Sequence, residues 1–174
     1  MEESDRINAL RKGDTEAQKW LYDRFSPVVF AICKRYLPTP QDAEDVAIGS
    51  LFRAMDKVRQ YEGSGSFEAW VKRIAVRECL MFLRKRRPPH VDPDELPEQE
   101  DPVMRADEHL QLEELMALIR QLPEGYRTVF QLYEVEGYKH REIAELLGIS
   151  IHTSKSQLIM AKKRLQALID KRSI

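Results

Sequence analysis

The chain has 174 residues, 43% of them hydrophobic and 33% charged, with seven glycines and a formal net charge of −1. That length holds one ordinary domain or two small ones, and the scarcity of glycine speaks against an all-β fold with its many turns. The near-neutral balance excludes nucleic-acid binding through a global basic field, so any such surface must be local.

The N-terminal stretch 1–5 carries three acids (Glu2, Glu3 and Asp5), and no apolar run approaches the roughly 20 residues of a membrane span, so a cytoplasmic chain without membrane insertion is expected. Residues 15–37 carry Leu21, Phe25, Val28 or Val29, Ile32 and Tyr36 three and four apart, the period of an amphipathic helix that Asp14 can cap and Pro27 can bend. After the break at 38–40, Val46, Leu51, Phe52 and Met55 continue helical spacing over 41–58, with acids at the start where the helix dipole favours them. Residues 61–66 read as a glycine-serine loop, and Ser66 caps a third helix with Phe67, Trp70, Val71, Ile74, Leu80 and Leu83 on its apolar side. This helix ends in the basic run 84–87. Cys33 and Cys79 lie inside helical patterns, without the paired spacing of metal or redox cysteines, and are expected as reduced structural thiols.

Between 88 and 107 stand five prolines, many acids and few large apolar residues, a composition that cannot bury enough surface to offset chain ordering. The expected organisation is all-α: a helical domain at 1–88, an acidic, proline-rich linker at 89–107, and a second helical domain at 108–174. A helix from Glu108 through Leu122 begins this second set, followed by a helix over 126–134 that Gly137 ends.

Residues 139–147 and 150–170 then form two helices around Gly148. Ala144 where the helices cross, Gly148 in the turn and Ser150 as cap are what a helix-turn-helix needs. On the second helix Ser154, Leu158, Ala161 and Leu165 share one face, which leaves His152, Ser156, Ile159 and Lys163 opposite them, flanked by Thr153, Lys155, Gln157 and Lys162. Such a side offers hydrogen-bonding and cationic groups to a major groove that accommodates one helix. Ile159 and Met160 are unusual there and suit thymine methyls or a protein partner.

Four ordered stretches carry a family resemblance: 42–46 (DAEDV), 51–54 (LFRA), 66–75 (SFEAWVKRIA), and 122–127 (LPEGYR) continuing through 142–150 (EIAELLGIS). Over nearly its whole length the chain resembles a bacterial extracytoplasmic-function RNA polymerase sigma factor, of a sigma-two-type helical bundle and a sigma-four-type helix-turn-helix. The resemblance implies a non-enzymatic alternative sigma factor, without cofactor or metal, that directs promoter-specific initiation. It implies docking of 41–58 on the polymerase β′ clamp helices through Asp42, Asp45, Ile48, Leu51, Phe52 and Arg53, with the β flap as a further polymerase contact.

It also implies capture of the melted minus-ten strand by Tyr61, Gly63, Ser64 and Gly65, with Lys72, Arg73, Arg77 and Arg84 holding phosphates. His152, Thr153, Lys155, Ser156, Gln157, Ile159 and Lys163 would then read minus-thirty-five duplex DNA, and an anti-sigma factor is an implied partner. Phe67 and Trp70 suit the core better than base stacking, and so does at least one of Leu51 and Phe52.

The chain departs from the family pattern at Ile48 and Gly49, where glutamine and a carboxylate are usual, at Arg77, where asparagine is common, and at Ile159 and Met160. Three other readings stay open at this point: a stand-alone helix-turn-helix regulator, a degenerate sigma-like adaptor, and a metal-dependent nuclease using Asp42, Glu44 and Asp45. The last is disfavoured because acids that close together on one helix point in different directions.

Overall fold

A computed structural model describes residues 2–86 and 112–172. The expected linker at 89–107 and the helix start at Glu108 lie outside the described residues. The chain forms two units that divide between residues 88 and 89, and every regular element among the described residues is helical.

Unit 1 contains α1 (Glu3–Arg11), α2 (Thr15–Tyr36), α3 (Pro40–Lys57), a 3-10 turn (Val58–Gln60) and α4 (Phe67–Arg86). Each long helix starts on a side-chain cap that satisfies an orphan N–H. Asp14 Oδ1 accepts from Ala17 N at 2.8 Å, Thr39 Oγ1 from Asp42 N at 3.1 Å, and Ser66 Oγ from Ala69 N at 3.1 Å. Pro40 follows the Thr39 cap at the first helical position, where its missing N–H costs nothing. Pro27 lies inside α2 without ending it.

Helices α2, α3 and α4 pack against one another around Leu21, Phe25, Ile32, Leu51, Phe67 and Val71, all buried. The buried stripe of α3 is largely small (Ala43, Ala47, Ser50, Ala54), which lets its backbone approach both neighbours. Burying each large side chain contributes roughly 1.5–3 kcal/mol before ordering costs. The first helix, α1, has no counterpart in the sequence expectations, where its acids read only as a polar start. Ile7 and Leu10 anchor it with nothing between them to advertise a stripe.

Unit 2 contains α5 (Leu112–Arg120), α6 (Glu124–Phe130), a π-helical turn (Gln131–Val135), α7 (His140–Leu147) and α8 (Ile151–Arg172). The helix expected over 126–134 thus begins earlier and widens into a π turn before Gly137, at φ 76°, ends it. Gly148 closes α7 in the left-handed region (φ 68°, ψ 36°), and its N–H donates to Ala144 O at 2.9 Å. Ser150 Oγ then accepts from Thr153 N at 2.9 Å and starts α8, which packs against α5, α6 and α7.

Candidate functional site

Three surfaces collect the residues that the sequence singles out. On α3, Ala43, Ala47, Ser50, Leu51 and Ala54 face the core, so the opposite side is left to solvent. Asp45, Ile48, Phe52 and Arg53 lie there, with Phe52 61% exposed and Ile48 39% exposed. Asp45 accepts from the Gln41 amide at 3.2 Å, and Arg53 Nε lies 3.3 Å from Glu78 Oε1 of α4. Two large apolar side chains are therefore held in water on a helix already anchored by its other face.

Two residues expected on that surface stand elsewhere. Leu51 is only 2% exposed, because its helical position points between α2 and α4, so it supports the docking face from beneath. Asp42 is turned inward along the surface: its Oδ2 takes hydrogen bonds from Thr39 Oγ1 at 2.7 Å and Arg86 Nη1 at 2.8 Å, bracing the start of α3 to the end of α4. Among the described residues no three His, Cys, Asp or Glu side chains gather as a metal site, and Asp42, Glu44 and Asp45 are not brought together as one.

The second surface is the loop 61–66. Gly63 (φ 81°) and Gly65 (φ 87°) occupy conformations that L side chains rarely adopt, and Tyr61 closes the turn by donating its hydroxyl to Gly65 O at 2.7 Å. The loop is seated from outside its own sequence. Arg11 at the end of α1 donates from Nη2 to Tyr61 O at 2.6 Å, and Arg59 Nε donates back to Arg11 O at 3.3 Å.

Beneath the loop, the Tyr61 ring meets Phe67 edge-on with centroids 5.1 Å apart and Trp70 at 5.6 Å. Phe67 stacks between Trp20 and Trp70 with centroids 6.1 and 5.4 Å away. Phe67 is fully buried, as expected of a core residue, whereas Trp70 is only half-buried, and together they form the floor of the loop.

Ser64, Gly63 and Gly65 are exposed at the crest, and Arg73, Arg77 and Arg84 are exposed along α4. Lys72 is less available, because its Nζ pairs with Glu68 Oε1 at 2.6 Å one helical turn back. The hydrogen bond and charge of Lys72 hold the Glu68 carboxyl below its ordinary range.

The third surface is the start of α8. His152 and Lys155 are exposed, as is Lys163 two turns on, while Thr153, Ser156 and Gln157 are half-buried. Their polar groups are partly engaged within the protein: Thr153 Oγ1 lies 2.9 Å from Ser150 Oγ, Ser156 Oγ donates to Thr153 O at 3.1 Å, and the Gln157 amide rests over Gly125 of α6. Lys162, expected at the flank, is mostly buried and pairs with Glu134 Oε1 at 3.0 Å.

Ile159 is the clear correction, since it is 8% exposed rather than outward-facing. The expectation treated α8 as packed on one side, whereas it meets α5, α6 and α7, and a helix with three neighbours buries a wider arc than one stripe. The exposed apolar residue here is instead Ile151, at 42%, in the first turn of α8. Its place just after the Ser150 cap was legible, because the N-terminal residues of such a helix are those nearest the bases. His140 Nδ1, 2.9 Å from the fully buried Ser154 Oγ and stacked on Tyr133 at 4.5 Å, fixes α7 against α8. Nothing in the local pattern around His140 or Arg11 announces these contacts.

Comparison with known proteins agrees with this division. Residues 21–88 match the model for Sigma-70 region 2, and residues 112–165 match that for Sigma-70, region 4. The chain is similar to the ECF RNA polymerase sigma factor SigW of Bacillus subtilis (strain 168), at 27% identity over 92% of this chain and 93% of that protein. It is likewise similar to the ECF RNA polymerase sigma-E factor of Escherichia coli (strain K12), at 28% identity over 90% of this chain and 88% of the relative.

In fold it resembles the sigma factor RpoE solved with the anti-sigma factor NepR from Bartonella quintana. That likeness has a TM-score of 0.57 and 24% identity, covering 87% of this chain and 96% of that one. CnrH, solved with the cytosolic domain of CnrY, gives a TM-score of 0.55 at 20% identity, covering 95% of this chain and 96% of that one. With both sigma-70 regions present in order, and relatives of one kind aligned along at least 90% of its length, the chain belongs to the extracytoplasmic-function sigma factors.

Proposed function

We propose that this sigma factor divides promoter recognition and polymerase binding among the three surfaces. The outer face of α3, through Asp45, Ile48, Phe52 and Arg53, docks on core RNA polymerase at the β′ clamp helices, while Leu51 and Asp42 hold that face in shape. The loop of Tyr61, Gly63, Ser64 and Gly65 receives an unstacked base of the opened minus-ten strand, and Arg73, Arg77 and Arg84 neutralise its phosphates. The first turns of α8, through Ile151, His152, Lys155 and Lys163, read minus-thirty-five duplex, and unit 2 meets the β flap. An anti-sigma protein, of the kind with which RpoE of Bartonella quintana was solved, is the further partner that we propose for the apolar α3 face.

The observation that carries this reading is the exposure of Phe52 beside Ile48 on a helix whose other face is fully buried. A solvent-facing phenylalanine does nothing for the isolated fold and suits the centre of an interface rimmed by Asp45 and Arg53. Replacing Phe52 by Ala should weaken core-polymerase affinity by tenfold or more, about 1.4 kcal/mol or above, and leave the melting temperature unchanged. Fluorescence anisotropy of the labelled chain against core enzyme measures this. Affinity equal to that of the unaltered chain would remove α3 as the docking element.

A further inference from the structure

The chain has two cysteines, and neither belongs to a polymerase or promoter surface. Cys33 on α2 and Cys79 on α4 are separated by 46 residues, yet both are fully buried and their sulfurs touch, with Sγ to Sγ at 3.6 Å. Sequence spacing gives no hint of this, because the contact is made only when α2 and α4 pack.

We propose that Cys33 and Cys79 are a latent disulfide site, which hydrogen peroxide or a similar two-electron oxidant closes to staple α2 covalently to α4. A disulfide needs its sulfurs about 2.05 Å apart. Two thiols already in contact across a packed helix pair have to close the remaining gap by side-chain rotation and a small helix shift. The fold has thus done the costly part, bringing two distant positions face to face.

The hydrogen bond to Cys33 and, next to it, burial push the Cys79 thiol far above its ordinary range. The thiolate is the reactive form, so the closed unit protects its own thiols, and oxidation proceeds through local openings that admit water. In an opening, one thiolate attacks peroxide, the O–O bond breaks, and a sulfenic acid forms with release of hydroxide that becomes water. On reclosure the second sulfur lies against the first, attacks the sulfenic sulfur, forms the S–S bond and expels a second water. The balance is two thiols and one peroxide giving one disulfide and two waters. Because the fold returns the partner sulfur to contact distance, internal closure outpaces over-oxidation to sulfinic acid and pairing between chains.

Such a staple ties positions 46 residues apart and removes freedom from the unfolded chain. It leaves the outer face of α3, the loop and α8 as they are. Two small apolar side chains that merely fill space would behave otherwise, with no covalent product and no gain in stability.

The test uses the full chain, reduced and freed of reductant, then treated with hydrogen peroxide in buffer and in urea below the unfolding midpoint. Alkylation under denaturing conditions and peptide mass analysis follow. The expected product is a monomer that has lost two hydrogens, with the Cys33 peptide joined to the Cys79 peptide, formed faster in urea and reversed by dithiothreitol. It should melt roughly 10 °C above the reduced chain. Cys33→Ser and Cys79→Ser should each lose both the internal link and the gain in melting temperature, and Cys33→Ala and Cys79→Ala replace them if a serine hydroxyl unfolds the core. Both thiols surviving in buffer and urea alike, sulfinic acids or chain-to-chain disulfides as main products, or an oxidised monomer melting no higher than the reduced one would each overturn the proposal.

Discussion

The two proposed DNA-contacting elements are built in opposite ways. The helix-turn-helix is specified locally: Gly148 turns the chain, Ser150 caps α8, and the stripe from Ser154 to Leu165 packs inward, all within a short stretch. The loop 61–66 supplies its own positive-φ glycines, but its position comes from Arg11, Arg59, Trp20 and Phe67, drawn from α1, the 3-10 turn, α2 and α4. A reader of rigid duplex can be a preformed helix, because the groove has a fixed shape. A receiver of an unstacked base needs a turn pinned from several sides, since nothing in the strand pre-orders it.

That contrast can be broken first at the floor of the loop. Phe67→Ala removes a buried ring that contacts Trp20, Phe25, Tyr61 and Trp70, and should cost about 3–5 kcal/mol in urea unfolding. A loss below about 1 kcal/mol would mean that the aromatic floor does not support the unit.

The anchor on α1 comes next. Arg11→Ala deletes a charge-assisted bond to Tyr61 O, worth about 1.5–3 kcal/mol, and should weaken binding of a single-stranded minus-ten oligonucleotide to the polymerase holoenzyme. Duplex minus-thirty-five binding should not change. Equal losses at both elements would instead point to general unfolding.

On the local side, Gly148→Ala forces a side chain to φ 68° with open space around the added carbon, so only backbone strain opposes it. A destabilisation of about 1–2 kcal/mol is expected, with duplex affinity reduced and strand capture spared.

The smallest effect tests the pair that follows the loop. The Glu68 carboxyl is held below its ordinary value, first by the Lys72 hydrogen bond and then by its charge. A lowered folded pKa gives stability that is present above the unfolded value of 4.5 and lost as pH falls through the folded one. Because the pair is exposed, acid titration should show a step of no more than about 0.5 kcal/mol, absent in Lys72→Gln.

Much of the site was legible in residues, and the failures have a common cause. Asp14 and Ser66 are caps as expected, Gly137 and Gly148 break helices where expected, and one of Leu51 and Phe52 is core as expected, but which of the two, Leu51, only the packing decides. Ile159 misled because periodicity assumes one packed side, and α8 has three neighbours. Asp42 and Lys162 look like available charges in the sequence, yet each is engaged by a partner dozens of residues away, Arg86 and Glu134.

Capping, turn chemistry and apolar period act over a few residues, so the chain by itself determined the helices, the helix-turn-helix and the two-unit organisation legible in its motifs. Which charges are paired across helices, which apolar residue at the start of α8 is exposed, how α1 seats the loop and that Cys33 meets Cys79 were decided only by tertiary structure. Those depend on pairings between distant segments, which local pattern does not encode because contact follows from helix packing and not from sequence separation.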